Sequence, residues 1–272
     1  MPELPEMETY RRHLDRTIVG RRIRSIIAER PKRLNQPAPQ ATLALTNSAI
    51  QSIERRGKSL AIWFEPAPDN FRVLYVHLML GGRIDLSSIP QPAAVAITLD
   101  HDLHLNFHVG LGRLEFLDPS ALQDRWSTLG IEPLSPDYQP DIWRKSLEPS
   151  TRPIKAGLMD QHIVAGIGNV YSDEILYRVG LHPGTPASHL SPAKWRELGD
   201  IVPRLLSNAV EAGGVGPAIS RDDHKSGGYR DNLHVHYQAG RPCPNGGTIV
   251  KGRVAGRTAD WCPTCQPSPS LP

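Results

Sequence analysis

The sequence predicts an α+β protein: an N-terminal β-sandwich with an N-terminal helix, then a C-terminal domain of helix-two-turns-helix form, then a small β-hairpin. Three observations carry this. Up to about residue 130 the chain is a series of short runs rich in β-branched and aromatic residues, separated by Pro, Gly and Asp turns. Beyond the Pro-rich stretch EPLSPDYQP the apolar residues recur at helical spacing instead. All three cysteines lie between residues 243 and 265, a local cluster and not a disulfide framework.

The elements follow in order. In MPELPEMETYRRHL the apolar residues Leu4, Met7, Tyr10 and Leu14 mark one face of a helix. Pro5 suits the first turn, where a missing N–H costs nothing, and Glu6 and Glu8 sit at the positive end of the helix dipole. Gly20 ends the helix, and RRIRSIIAE, AIQSIERRGKSLAIWFE, FRVLYVHLML, AVAITLD and LHLNFHV read as strands. EPLSPDYQP reads as a connector between domains. IKAGLMDQHIV, GNVYSDEILYRVGL and SPAKWRELGDIVPRLLSNAVEAGG read as helices, the last with Ser191 as N-cap before Pro192. From about Gly213 the chain is Gly-rich and polar, a long loop, and HVHYQAGRPCPNGG, TIVKG and RTADWCPTCQ then form a hairpin unit. The expected divisions are 1–130 (sandwich), 131–150 (linker), 151–225 (helical domain), 226–266 (zinc-finger-like hairpin) and 267–272 (disordered tail).

Bulk properties exclude several classes. With 272 residues, 39% hydrophobic and 22% charged, the chain is long enough for two domains with sizeable cores. No apolar run approaches the ~20 residues of a membrane span. The acidic, helical N-terminus lacks the basic-then-apolar order of a signal peptide, so a cytoplasmic location is expected. The net charge of +3 permits a nucleic-acid partner without requiring one.

Four features point to chemistry. Pro2 and Glu3 precede the helix and have no evident structural job there; a frayed terminus is the alternative. Gly-Ile-Gly-Asn, ending at Asn169, sits directly before a helix, where free N–H groups attract phosphate. The alternative is an ordinary turn and cap. Lys58 stands between a glycine and a strand, as a surface lysine or as one turned toward a partner. Cys262 and Cys265 are spaced to share one zinc ion, with Cys243 as a third ligand, but Gly246 stands where a fourth would be expected. His234 or His236 could substitute for it. The reading favoured is a hairpin held by packing, without metal.

In this order, MPELPEMETYRRHL, RRGKSL, the pair IKAGLMDQ and GIGNVYSDEIL, and GRTADWCPTCQ resemble the formamidopyrimidine-DNA glycosylase (Fpg/Nei) family of bacterial base-excision repair enzymes, over nearly the whole chain. PELPE looks like the Fpg branch; the Nei branch typically has Gly where Leu4 stands. The resemblance implies a bifunctional glycosylase and AP lyase acting as a monomer on damaged double-stranded DNA, nucleoid-associated when at work, needing no cofactor for its chemistry. Removal of Met1 would expose Pro2 as a secondary amine, and an α-amino group, with a pKa of about 8, is partly unprotonated at neutral pH. That amine would attack C1′ and displace the base, leaving an imine as electron sink for β,δ-elimination. By the same resemblance Glu3 protonates the opening sugar, and Lys58 contacts lesion and phosphate and helps the elimination. Lys155 and Asn169 grip phosphates, and Arg257 at the finger tip holds phosphates and assists the second elimination. The damaged base is extruded, since C1′ is shielded inside the stack.

The sequence departs from the family pattern in four places. Where the family has HLGMSG, with a Met that fills the gap left by the flipped base, this chain has HLMLGG and Leu80 takes the wedge position. Where the family has DPRRFG, whose Arg reads the orphaned cytosine, this chain has VGLGRL. Leu111 stands at the Arg position and Arg113 at the Phe position, so the reader is lost unless Arg113 reaches in from nearby. The family's KHDHV, with a phosphate-binding His, is QPAAV, and Gly246 replaces a zinc ligand. The expectation is a competent lyase for formamidopyrimidine or 8-oxoguanine lesions with relaxed partner-base preference. Alternatives are a non-catalytic lesion-sensing relative, or a glycosylase shifted to oxidised pyrimidines, hydantoins or abasic sites, its pocket lying largely in SRDDHKSGGYRDN.

Overall fold

In the computed structural model, which describes residues 1–220, 223 and 225–269, the chain divides into two compact units. One comprises Met1–Thr128 with Ala212–Gly227, the other Leu129–Glu211 with the chain from Gly228 onward. The α+β architecture is the expected one.

The first unit is a sandwich of two four-stranded antiparallel sheets with strand orders β2-β3-β4-β8 and β1-β6-β7-β5. The strands are β1 (Ile23–Ile27), β2 (Ala49–Arg56), β3 (Ser59–Glu65), β4 (Val73–His77), β5 (Arg83–Ser87), β6 (Val95–Leu99), β7 (His104–His108) and β8 (Arg113–Leu117). β6 alternates as a half-buried strand should, with Val95, Ile97 and Leu99 in the core. β4 is apolar from Val73 to Val76, before its terminal His77, because both of its faces are covered there. Leu74 and Val76 enter the sandwich interior, while Val73 and Tyr75 pack with Leu122 and Trp126 of α3 (Pro119–Ser127). The carboxylate of Asp118 caps α3 by accepting from the Ala121 N–H at 2.9 Å. The sequence reading missed α3, α2 (Ala38–Leu45), β5 and β8. α2 buries only Ala41 and Leu45, and β5 and β8 are five residues each with polar outer faces, so none carries a long periodic signal.

Helix α1 (Leu4–Ile18) buries Met7, Tyr10, Leu14 and Ile18 in the sandwich core. Its polar side is fixed to β2. The Glu8 carboxylate accepts from Arg55 Nε at 3.0 Å, from Arg11 Nε at 3.1 Å and from Arg12 Nε at 3.1 Å. Arg55 in turn donates to the Gly57 carbonyl at 3.2 Å.

The segment 212–227 belongs to the sandwich unit, although 212–225 were expected within the helical domain and 226–227 within the hairpin unit. Ile219 is fully buried in its core, and its carbonyl accepts from the Leu86 N–H at 2.7 Å. Arg221, Asp222 and His224 of the expected lesion-pocket loop, and residues 270–272 of the expected tail, lie outside the described residues.

The second unit contains α4 (Pro140–Leu147), α5 (Ile154–Leu158), α6 (Asn169–Arg178), α7 (Pro192–Glu211), β9 (Val250–Val254) and β10 (Arg257–Trp261). Residues 131–150, expected as a linker, carry α4 and join this unit's core. Trp143 packs edge-on against Trp195 of α7 at 5.7 Å between ring centroids, and its Nε1 donates to Tyr138 Oη at 3.0 Å. Prolines that read as a connector here begin a helix at Pro140. α5 is shorter than IKAGLMDQHIV suggested. The side chain of Gln161 takes over the turn, donating to Met159 and Ile167 carbonyls and accepting from Gly166 N–H. Ser191 caps α7 as expected, its Oγ accepting from Lys194 N–H at 3.3 Å. β9 and β10 are joined by the two-residue turn Ala255-Gly256, both with positive φ (47° and 74°), the combination that matches strand twist in a hairpin. Among the described residues no helix is long and apolar enough to cross a membrane.

Burial pushes the Glu8 carboxyl up, but the guanidinium groups of Arg11 and Arg55 outweigh it and hold the pKa below its ordinary 4.5. A depressed carboxylate contributes stability above its unfolded-state pKa, and that contribution is lost as pH falls through the folded value. Glu8→Gln is therefore expected to cost roughly 2–4 kcal/mol at neutral pH, somewhat less than a fully buried pair. Urea unfolding of both proteins between pH 7 and 3 should show the gap closing on the acid side of pH 4.5; a gap that stays constant would contradict this role.

Candidate active site

In the first unit the residues ahead of α1 are not frayed. Glu3 is 2% exposed, and its N–H donates to Glu6 Oε2 at 2.8 Å. The other Glu6 oxygen accepts from Val215 N–H at 2.9 Å, so one carboxylate ties the helix entry to the returning segment. This fit needs a glycine: at Gly214, with φ +64°, a Cβ would lie 2.5 Å from Glu6 Oε1. The sequence reading gave Glu6 only a dipole role, because its partner lies more than 200 residues away. Pro2 is partly exposed and Met1 precedes it. While Met1 is attached, the Pro2 nitrogen is an amide and not a nucleophile.

Lys58 lies in the tight turn joining β2 to β3, where Arg56 pairs with Ser59. At 8% exposure it is not an ordinary surface lysine. The Arg55 bond to the Gly57 carbonyl fixes this turn, and the Glu8 bond to Arg55 fixes it relative to α1. A row runs from here across the sheet: Ser59 on β3 opposes His77 on β4, and His77 opposes Arg113 on β8. Burial and then the Lys58 ammonium hold the His77 pKa below its ordinary value, with Arg125 adding to this and Glu115 opposing it. His77 was missed as a separate candidate; its one sequence signal was its position at the end of β4.

Two loops cross between the sheets side by side at this end. One runs from β4 to β5 and carries Met79 and Leu80, both exposed; the other runs from β7 to β8 and carries Leu111, also exposed. They approach so closely that a Cβ at Gly112 would come within 2.6–2.7 Å of the His77 and Leu78 carbonyl oxygens. The tips are apolar, while Arg113 sits at the base of its loop in the row with His77.

In the second unit Lys155 is 1% exposed. Its ammonium donates to the Asn169 carbonyl at 3.3 Å, to Ser172 Oγ at 3.0 Å and to Asp173 Oδ1, so it braces the first turn of α6. Asn169 opens that helix, and its Oδ1 is buried without a hydrogen-bond partner among the described residues. Two consecutive acids of α6 fasten the segment 234–237. The Asp173 carboxylate meets His236 Nδ1 at 2.8 Å and accepts from Asp260 N–H at 3.2 Å. Glu174 accepts from the N–H groups of His234, Val235 and His236 at 2.9–3.1 Å. Burial raises the Glu174 pKa, but the hydrogen bonds from His234 and from these backbone groups outweigh it and keep the carboxyl below its usual range. Asp173, His236 and Asp260 lie close enough to share a metal ion, yet the cation already seated on Asp173 is Lys155.

The same fastening presents Tyr237, which sequence reasoning missed. It is 70% exposed and held at φ +62°, a left-handed conformation that costs a bulky residue energy. His236 packs against its ring at 4.3 Å. Arg257 is exposed where β10 begins, next to the hairpin turn.

The sulfurs of Cys243, Cys262 and Cys265 lie within 4.8 Å of one another, with Cys243 and Cys265 at 3.6 Å. Among the described residues no fourth His, Cys or carboxylate joins them. His236 is committed to Asp173, and His234 to Glu174 and Arg178. The neighbours of the thiols are Tyr177 Oη, 3.3 Å from Cys243 Sγ, and the Gly246 carbonyl, which accepts from Cys262 Sγ at 3.4 Å. Val235 and Ile249 complete an apolar cluster around them. Burial and the neighbouring thiols push Cys265 up to about 11, which favours the neutral thiol. A closed structural zinc site takes four ligands, so this donor set does not fit one.

Known proteins match this arrangement along the whole chain. Residues 1–123 match the formamidopyrimidine-DNA glycosylase N-terminal domain, and residues 129–220 match the formamidopyrimidine-DNA glycosylase H2TH domain. The formamidopyrimidine-DNA glycosylase of Symbiobacterium thermophilum is 36% identical, over 99% of this chain and 90% of that protein. Among solved structures, Lactococcus lactis Fpg in complex with abasic-site DNA superposes with a TM-score of 0.88 at 31% identity, covering 98% of this chain and all of that one. A mutant of the same protein bound to DNA containing Fapy-dG gives 0.89 at 32% identity with equal coverage.

Proposed function

The chain belongs to the formamidopyrimidine-DNA glycosylase family and is a DNA glycosylase of base-excision repair; on that premise we propose that it is also a lyase, cutting the strand through a Schiff base on Pro2. The observation that supports this most is the built N-terminus. Glu3 and Lys58 are both nine-tenths buried, and they come from segments that the Glu8–Arg55–Gly57 chain of bonds holds together. A carboxyl and a lysine held this far out of water at a helix entry and in a tight turn are fixed in position, which suits groups that act on a bound substrate.

The steps balance as follows. After Met1 is removed, the Pro2 nitrogen attacks C1′ of the damaged nucleotide, and the base departs with its bonding electrons and takes up a proton. Glu3 gives a proton to the ring oxygen as the sugar opens, and the nitrogen becomes an iminium. Loss of a C2′ proton expels the 3′ phosphate, and loss of a C4′ proton expels the 5′ phosphate. Lys58 stabilises the leaving phosphate, and Arg257 acts on the second elimination. Asn169, the α6 terminus that Lys155 braces, and the Tyr237 hydroxyl hold phosphates from the second unit. The partner is double-stranded DNA carrying an oxidised purine of formamidopyrimidine or 8-oxoguanine type, and the enzyme acts as a monomer.

Leu80 and Leu111 at the two loop tips fill the gap left by the extruded base through apolar contact. An apolar wedge excludes water but presents no hydrogen-bond donor to the orphaned partner, so discrimination falls by about 1–3 kcal/mol. The hairpin of the second unit is held by the Tyr177, Val235, Ile249 and cysteine packing and does not depend on zinc.

Three outcomes are expected. Borohydride on an abasic-site duplex should trap a covalent protein–DNA adduct; Pro2→Glu, whose bulk keeps Met1 in place, should give none, and full trapping by that variant would end the Schiff-base reading. Incision of 8-oxoguanine opposite each of the four bases should vary by less than about tenfold, whereas a cytosine preference above about a hundredfold would contradict the apolar wedge. Dialysis against a strong chelator should leave the melting temperature and DNA affinity unchanged; one zinc retained per chain, lost together with stability, would refute the metal-free hairpin.

A further inference from the structure

We infer that Arg113 binds a backbone phosphate, in line with Lys58 and His77, and that it is not the reader of the partner base. This rests on the DNA-glycosylase reading above. From the sequence Arg113 was a possible substitute for the reader, standing two residues after the position where the family places it.

Strand geometry separates the two. Arg113 opens β8, and its cross-strand neighbour is His77, whose own neighbour on the far side is Ser59, next in the chain after Lys58. Directly opposed residues share a face of the sheet. Leu114 and Phe116 point into the sandwich core, so Arg113 and Glu115 project from the other face. A base reader must sit on the element that enters the stack. Here those elements are the loop tips, and they carry Leu80 and Leu111.

Charge points the same way. Arg113 is exposed and has no ion pair or side-chain hydrogen bond among the described residues. The acid nearest to it on the same face of β8, Glu115, is ion-paired with Arg125, whose guanidinium lies 4.7 Å over the Tyr75 ring. That acid is thus occupied. Lys58 and Arg113 carry positive charge along the end of one sheet, in line with His77, whose lowered pKa favours the neutral, hydrogen-bonding ring. A ligand with anions at regular spacing fits that line, and a phosphodiester backbone is such a ligand. With QPAAV in place of a phosphate-binding histidine, Arg113 supplies a backbone contact from a different strand.

The test uses the full chain and duplexes with a tetrahydrofuran abasic-site analogue opposite each of the four bases, titrated from about 50 to 200 mM salt. Arg113→Gln should weaken binding about five- to tenfold, by the same factor for all four partners, and flatten the log–log salt slope by about 0.9. Arg113→Lys, which keeps the charge, should keep the wild-type slope. A loss confined to one partner base would make Arg113 the reader, and an unchanged slope would make it a bystander; either overturns the inference. The preference of wild-type protein for the analogue over undamaged duplex, measured in the same titration, tests the glycosylase reading separately.

Discussion

The buried contact between Glu8 and Arg55 is the constraint on which the catalytic end of the first unit depends. A helix packed on a sheet by apolar side chains can still slide or rotate, because hydrophobic contact has little directional preference. Charge-assisted hydrogen bonds do have one. Glu8 fixes the axial position of α1 through Arg55, and the same guanidinium fixes the Gly57 carbonyl and with it the turn bearing Lys58. Pro2 and Glu3 immediately precede the helix that carries Glu8, so their position follows from the same bond. Arg11 supplies further positive charge, which together with Arg55 holds the carboxyl below its ordinary pKa despite its burial.

The second unit solves a similar problem on α6. Here the acids are consecutive. Asp173 and Glu174 point in directions about 100° apart on the helix, and each collects donors from a different stretch of chain. Asp173 gathers Lys155 and His236, while Glu174 takes three successive backbone N–H groups. The helix start and the left-handed Tyr237 are thereby set by one rigid element, and the strain at Tyr237 is held by bonds to its neighbours.

The sequence disclosed the elements that are long and periodic, and hid those defined by partners. Helix α1, the apolar strands and the capped α7 could be read directly, since their spacing and end residues are local signals. α2, β5 and β8 could not, because short elements with one buried face look like loops. The Pro-rich start of α4 looked like a linker; its membership of the core depends on Trp143 meeting Trp195, more than 50 residues away. Of the proposed site residues, Pro2, Glu3, Lys58 and Arg257 are legible as sequence motifs, and the burial of Glu3 and Lys58 gives those two physical weight. Glu6, His77 and Tyr237 escaped, since their significance comes from a distant amide, a neighbouring ammonium and a backbone conformation, none of which has a local sequence mark.

The bond between Glu6 and Val215 joins residues 209 positions apart, with the segment Leu129–Glu211 of the second unit encoded between them. A ribosome therefore emits α1 long before the amide that completes its entry. The sandwich can collapse early around its strands, but the socket for the first residues cannot close before Val215 has been made. Contacts of such separation also slow folding, because a long loop must be ordered before they form. A chain not yet made as far as Val215 thus carries Pro2 and Glu3 without the amide that ties down the helix entry beside them.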